Sequence, residues 1–89
     1  MLSDIHIVRM NRVGKKYGRL KAFVDIELNG LVLIKGLFIL SGNEGLYVSM
    51  PRQRGKDKRW YETVRIVNRG FREEVFSRIL LEYENDKTR

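Results

Sequence analysis

The sequence predicts a small α+β fold: a mainly antiparallel sheet of hairpin-connected strands with one C-terminal amphipathic helix packed on it. Three observations predict it. Apolar and polar residues alternate from Arg19 to Leu28, the period of a half-buried strand. Asn29-Gly30 follows at once, and a type I′ hairpin turn needs the positive φ that this pair tolerates. Near the C-terminus Phe71, Val75, Phe76, Ile79, Leu80 and Tyr83 recur at helical spacing.

The elements follow in order. Ile5 to Arg12 reads as a strand, with Ile5 and Ile7 on one face and Val8 and Met10 on the other. That change of phase is expected where a bulge falls near Val8-Arg9. Val13 to Gly18 is a basic, glycine-containing loop. In the strand Arg19–Leu28 the face opposite the apolar one is charged except for Phe23, which is expected to pack across strands rather than stack on bases. Leu31 to Leu40 carries only Lys35 as a charge, so a central strand buried on both faces is expected, with Gly36 marking a bulge or a close backbone approach. One helix covers only one face of a small sheet, so a second subunit is expected over the other.

Gly42-Asn43-Glu44-Gly45 has turn chemistry, and Leu46-Tyr47-Val48 is short and β-prone. Pro51 lacks an amide donor and ends or edges that strand. Gln53 to Lys58 reads as a polar loop, and Trp60 to Val67 as a further strand with Trp60 in its core. Asn68 is placed to cap the helix, with Phe76 and Ile79 at the centre of the buried stripe. The expected organisation is one domain over 1–89: strands and basic loops over 1–67, the helix over 68–84, and a frayed tail over 85–89.

Charge narrows the function. The 89 residues carry a formal +7. Residues 1–70 hold 14 Lys/Arg against 6 Asp/Glu, whereas residues 71–89 hold 4 against 5. The excess therefore belongs to the strands and loops, and a localised basic field attracts polyanions, of which nucleic acid is the commonest in a cell. Its densest point is the run Arg52, Arg54, Lys56, Lys58 and Arg59, opposed only by Asp57. These five are the principal candidates for phosphate contact. Arg69 and Arg72, at the start of the helix beside its free amides, are secondary candidates, although Glu73 and Glu74 are expected to serve the same dipole. Trp60 and Tyr61 follow the basic run and are the alternative stacking platform for unpaired bases.

Other chemistry lacks parts. There is no cysteine and one histidine, His6, so neither a thiolate zinc site nor a Cys/His cluster can be assembled. No phosphate-cradling Gly-x-x-x-x-Gly-Lys sequence occurs, and no nucleophile motif accompanies His6. Asp25 and Glu27 share a strand face and are expected to balance neighbouring cations. No catalytic residue, cofactor, metal or small-molecule substrate is expected. No apolar run reaches the ~18–20 residues that span a bilayer, and Asp4 and His6 stand where a signal peptide is basic and then apolar. A cytoplasmic protein without membrane attachment is expected.

Some of these residues carry a family likeness over nearly the whole chain, from Asp4 to about Tyr83. Gly42-Asn-x-Gly45-Leu-Tyr-Val-x-Met-Pro51, with Arg54 behind it, resembles the Gly-Asn-x-Gly-Leu-Phe-Val-x-Met-Pro-Ser-Lys-Arg motif of the septation regulators known as stage V sporulation protein G. Gly18-Arg-Leu-Lys-Ala22 and the helix ending Leu81-Glu82-Tyr83 are similar as well. The resemblance implies a small α+β fold, a homodimer, and bacterial cytoplasmic proteins that bind DNA and RNA and regulate septum formation, sporulation and gene expression. It places Arg52, Gln53 and Arg54 on the family's basic tripeptide. Two departures stand out. Arg65-Ile66 replaces a His-Pro pair before the last helix, and Gly55-Lys56-Asp57-Lys58 replaces Thr-Pro-Asp-Gly, making the loop more cationic.

The expected function is therefore that of a dimeric regulator that binds DNA, RNA or both through a basic loop, and is not an enzyme. The alternative is a protein-interaction factor of the cell-division machinery that uses the same basic surface on an acidic partner.

Overall fold

Two local turns build the main sheet. Asn29 and Gly30 both take positive φ, 55° and 66°, and join β2 (Leu20–Leu28) to β3 (Val32–Gly42). Asn43 and Glu44 join β3 to β4 (Gly45–Ser49), with Gly42 opposite Gly45. With β1 (Ile5–Arg12) the strands form an antiparallel meander in the order β1-β2-β3-β4. The computed structural model describes residues 4–87 of the chain.

The bulges fall where the pattern breaks. Ile7 pairs with Ile26 and Arg9 with Asp25, so Val8 is the extra residue that changes the phase of β1. In β3 the extra residue lies between Ile34 and Leu37, where Gly36 takes φ +84°. That conformation is open to glycine and strained for any residue with a Cβ. The amide freed there donates to Asp25 Oδ1 at 3.0 Å. The Asp25 carboxylate thus closes a bulge, a more specific role than balancing charge.

The inner face of the sheet supplies Ala22, Val24 and Ile26 from β2 and Leu37 and Ile39 from β3, all with no exposure. Helix α1 (Arg69–Lys87) lies across this face against β1 and β4, burying Val75, Ile79 and Tyr83. The centre of its stripe is therefore Val75 and Ile79. Phe76, expected there with Ile79, is only half-buried at the edge. Asn68 caps the helix as expected, its Oδ1 accepting from the Phe71 amide at 2.8 Å. The helix continues to Lys87, beyond the expected end at 84, since no Gly or Pro interrupts Glu84 to Lys87. Residues 88 and 89 of the expected frayed tail lie outside the described residues. Because the helix begins at Arg69, Glu73 and Glu74 stand in its second turn; the first turn is free of acid.

Three further expectations are corrected. The loop Val13–Gly18 contains a 3₁₀ turn at Lys15–Tyr17. The stretch around Gln53 is not loop throughout: Arg52–Arg54 forms β5, paired antiparallel with β6 (Trp60–Glu62) in a second, two-stranded sheet. The strand expected over Trp60–Val67 is therefore only its first three residues. Pro51 has no amide to continue the ladder, and its carbonyl accepts instead from the Thr63 amide and hydroxyl. Beyond Thr63 the chain joins no strand before the helix, and Val64 and Ile66 turn into the core while Val67 is exposed.

β3 is central, but only its inner face is fully buried. On the outer face Phe23 meets Phe38 edge-on with ring centroids 5.4 Å apart, the cross-strand contact the alternation predicts. Leu31, Val32 and Leu33 are left more than half exposed in the single chain.

Candidate nucleic-acid interface

The cationic run is a β-ribbon rather than a free loop. Arg52 stands opposite Glu62, Gln53 opposite Tyr61, and Arg54 opposite Trp60. Cross-strand partners share a face, so Arg52, Arg54, Trp60 and Glu62 lie on one side of the ribbon and Gln53 and Tyr61 on the other. The Arg54 guanidinium sits 5.9 Å from the centroid of the Trp60 ring, a cation–π contact.

The turn that joins the strands is tied tightly. The Lys58 amide donates to the Gly55 carbonyl at 3.0 Å, and the Gly55 amide to the Arg59 carbonyl at 2.8 Å. Asp57 accepts the Arg59 amide at 3.0 Å on Oδ1 and the Tyr61 hydroxyl on Oδ2. The Tyr61 hydrogen bond is the main reason the Asp57 carboxyl lies below its ordinary value, with the Arg59 amide second. The same bond raises the Tyr61 phenol. Gly55 leaves room for this contact, because a Cβ there would lie 2.9 Å from both Asp57 Oδ1 and the Tyr61 ring. Lys58 takes φ +67°, a backbone conformation in which a side chain costs energy.

Both carboxylates of the ribbon are thus engaged away from its cations. Asp57 holds the turn, and Glu62 pairs with Arg65 at 2.9 Å. Among the described residues no carboxylate forms an ion pair with Arg52, Arg54, Lys56, Lys58 or Arg59, and all five are exposed.

Of the secondary candidates, Arg72 joins this surface and Arg69 does not. Arg72 and Arg52 line one groove of about 420 Å³ between β4 and the start of α1, with Arg65, Glu62, Glu73 and Phe76. Arg69 points to Glu73, pairing at 3.3 Å. Arg65 is the residue that the sequence pattern missed. Strand alternation does not single it out, and the Glu62-x-x-Arg65 spacing is the signal that would find it.

Trp60 is also not where the pattern put it. It is 60% exposed instead of lying in the core. It stands at an open hollow of about 250 Å³ on the outer face of the main sheet, with Leu20, Phe38, Leu40, Ser49 and Arg52. Tyr61 is exposed on the opposite side of the ribbon.

The turn before the ribbon has a structural purpose. A Cβ on Gly42 would lie 3.0 Å from the Tyr47 ring, so glycine there lets Tyr47 close over the hairpin. The Tyr47 hydroxyl then accepts from Arg19, whose Nε also donates to the Ser41 carbonyl. Gly42-Asn-x-Gly45-Leu-Tyr is therefore a folding motif that positions β4 and, through Pro51, launches the ribbon. His6 is exposed on β1, and no group of His, Asp or Glu side chains among the described residues can hold a metal ion. No helix among them is long and apolar enough to cross a membrane.

Comparison with known proteins shows the family. The SpoVG family model matches residues 2–85. A protein of Listeria monocytogenes that bears the septation-protein name SpoVG 1 is 35% identical over 81 residues, covering 91% of this chain and 78% of that protein. A SpoVG-named protein of Archaeoglobus fulgidus is 29% identical over 86 residues, covering 97% of this chain and the whole of that protein. One from Oceanobacillus iheyensis is 31% identical over 81 residues, covering 91% of the chain and 83% of its own length. With the family model spanning all but the ends, and the glycine hairpin, the Met-Pro step and the terminal helix in place, the chain belongs to the SpoVG family.

Proposed function

We propose that this protein is a cytoplasmic regulator acting in septation or sporulation, and that it acts by binding the phosphate backbone of nucleic acid, not by catalysis. The observation that supports this most directly is that, among the described residues, no carboxylate forms an ion pair with the ribbon cations. Five exposed Lys and Arg side chains share a short hairpin whose two carboxylates are committed to Tyr61 and Arg65. Such charge is free to displace the counterions of a polyanion. Arg72 extends the surface along the groove that it shares with Arg52. The relatives' septation name supports the biological setting. A homodimer belongs to the same proposal, supported by Leu31, Val32 and Leu33, which the single chain leaves open.

The test is the double change Arg54→Ala with Lys56→Ala, titrated with two unrelated duplexes and one RNA over a salt series. Removing one phosphate-binding cation lowers the slope of log K against log salt by roughly 0.7–0.9. Affinity falls about equally for all sequences, because phosphate contacts position the protein without reading bases. An unchanged slope with intact affinity refutes the ribbon as the binding surface. Absence of wild-type binding to all three at low salt refutes nucleic-acid binding and leaves the ribbon as a docking site for an acidic protein.

A further inference from the structure

The ribbon carries more than charge. Trp60 shares a face with Arg52 and Arg54 and borders an apolar hollow walled by Leu20, Phe38 and Leu40. A large aromatic side chain that is 60% exposed, beside carbon-lined space and flanked by two guanidinium groups without a carboxylate partner among the described residues, is a costly arrangement to leave facing water. Phe23, on the same outer face, meets the Phe38 ring edge-on with centroids 5.4 Å apart. We propose that Trp60 and this hollow form a stacking site for an unpaired base, so that the ribbon selects single-stranded nucleic acid over duplex.

The proposal rests on the phosphate-binding function of the ribbon and adds its substrate class. Charge decides the occupant: Arg52 lines the hollow and Arg54 lies over the Trp60 ring, so an occupant must bring negative charge together with a flat apolar face. A nucleotide has both. Bases in a duplex are stacked on one another and offer the protein only their edges, whereas an unpaired base presents its π face to an aromatic ring. Arg54 already lies 5.9 Å from the Trp60 ring. It can therefore hold the phosphate of the nucleotide whose base stacks, or lie against the base from the other side. The closeness of the two functions on one strand pair means that one nucleotide engages both.

Trp60 is the only tryptophan in the chain, so its emission reports this site alone. The experiment titrates the full chain with a single-stranded oligothymidylate and with a mixed-sequence duplex of equal length. Trp60 fluorescence is read alongside the anisotropy of a label on the nucleic acid. Saturable quenching is expected with the single strand, and duplex binding with emission unchanged. Trp60→Ala weakens single-strand binding roughly 5- to 150-fold, the equivalent of about 1–3 kcal/mol per stacked base, and leaves duplex affinity within about twofold because phosphate contacts remain. Trp60→Phe restores most of the affinity. Anisotropy showing single-strand binding with no change in Trp60 emission overturns the stacking site while the phosphate reading stands. Emission that shifts with protein concentration and is deaf to oligonucleotide also overturns it, because a second copy then fills the hollow. Failure of both nucleic acids to bind removes the phosphate reading and this one together.

Discussion

Replacing Ile79 by Ala tests the packing that holds α1 against the main sheet. Ile79 has no exposure, and it sits between Val75 and Tyr83 on the face of α1 that meets the sheet. Truncating a buried Ile to Ala costs about 2–5 kcal/mol, depending on how far the site collapses. A chain of 89 residues has a total stability of roughly 4–13 kcal/mol. The change therefore removes a large part of it and lowers the melting temperature by at least about 10 °C. Ala is the better helix former, so helix propensity cannot account for that decrease. Two controls lie on the same helix. Leu81 is 58% exposed, and Leu81→Ala is expected within about 0.5 kcal/mol of the native protein. Phe76 lines the groove beside Arg52 and Arg72 and is half-buried, so Phe76→Ala falls between the two. The assay is thermal unfolding followed by circular dichroism at one fixed protein concentration, since dimerisation makes the midpoint concentration-dependent. An order in which Leu81→Ala costs as much as Ile79→Ala would refute the placement of the buried stripe.

Other consequences are as specific. Lys58→Gly relieves a side chain from φ +67°, worth about 1 kcal/mol before glycine's own entropy cost is set against it. The variant should melt slightly higher while its salt slope falls by the value of one phosphate; a lower melting temperature would show that Lys58 is not strained. The Asp57 carboxyl is depressed chiefly by Tyr61, so its contribution to the turn is complete above its unfolded value and is lost as pH falls through its folded one, below about pH 4. Carboxyl carbon NMR should show Asp57 titrating lower than an ordinary aspartate, and moving back up in Tyr61→Phe; an unchanged titration in that variant would mean the bond is absent in solution. Light scattering at micromolar concentration should report twice 10.5 kDa, and a clean monomer would leave Leu31 to Leu33 as ordinary exposed side chains.

What was legible in the sequence follows from the range of each interaction. Asn29-Gly30, Gly36 and Asn68 act through their own backbone or that of residues a few positions away, so their hairpin, bulge and cap are visible in a short window. The β5–β6 ribbon is not, because Arg-Gln-Arg has no apolar alternation and its strand character comes from partners six to ten residues on. Trp60, Glu62, Val64 and Ile66 share one parity, and the pattern reads them as one face. The chain instead passes from the ribbon into the core at Thr63, tied by its two bonds to Pro51. Val64 and Ile66 then turn inward while Trp60 stays outside. Period-two alternation reports an extended backbone; it does not report which layer each side chain meets. The location of the positive charge was legible because charge is carried by residue identity. Its availability was not, since that depends on Asp57 reaching Tyr61 and Glu62 reaching Arg65 instead of the cations of the ribbon. The same folding that takes Trp60 out of the core and the described carboxylates away from the ribbon's arginines puts an aromatic face and two guanidinium groups on one side of a three-residue strand pair, which is why the candidate site had to be read from the fold.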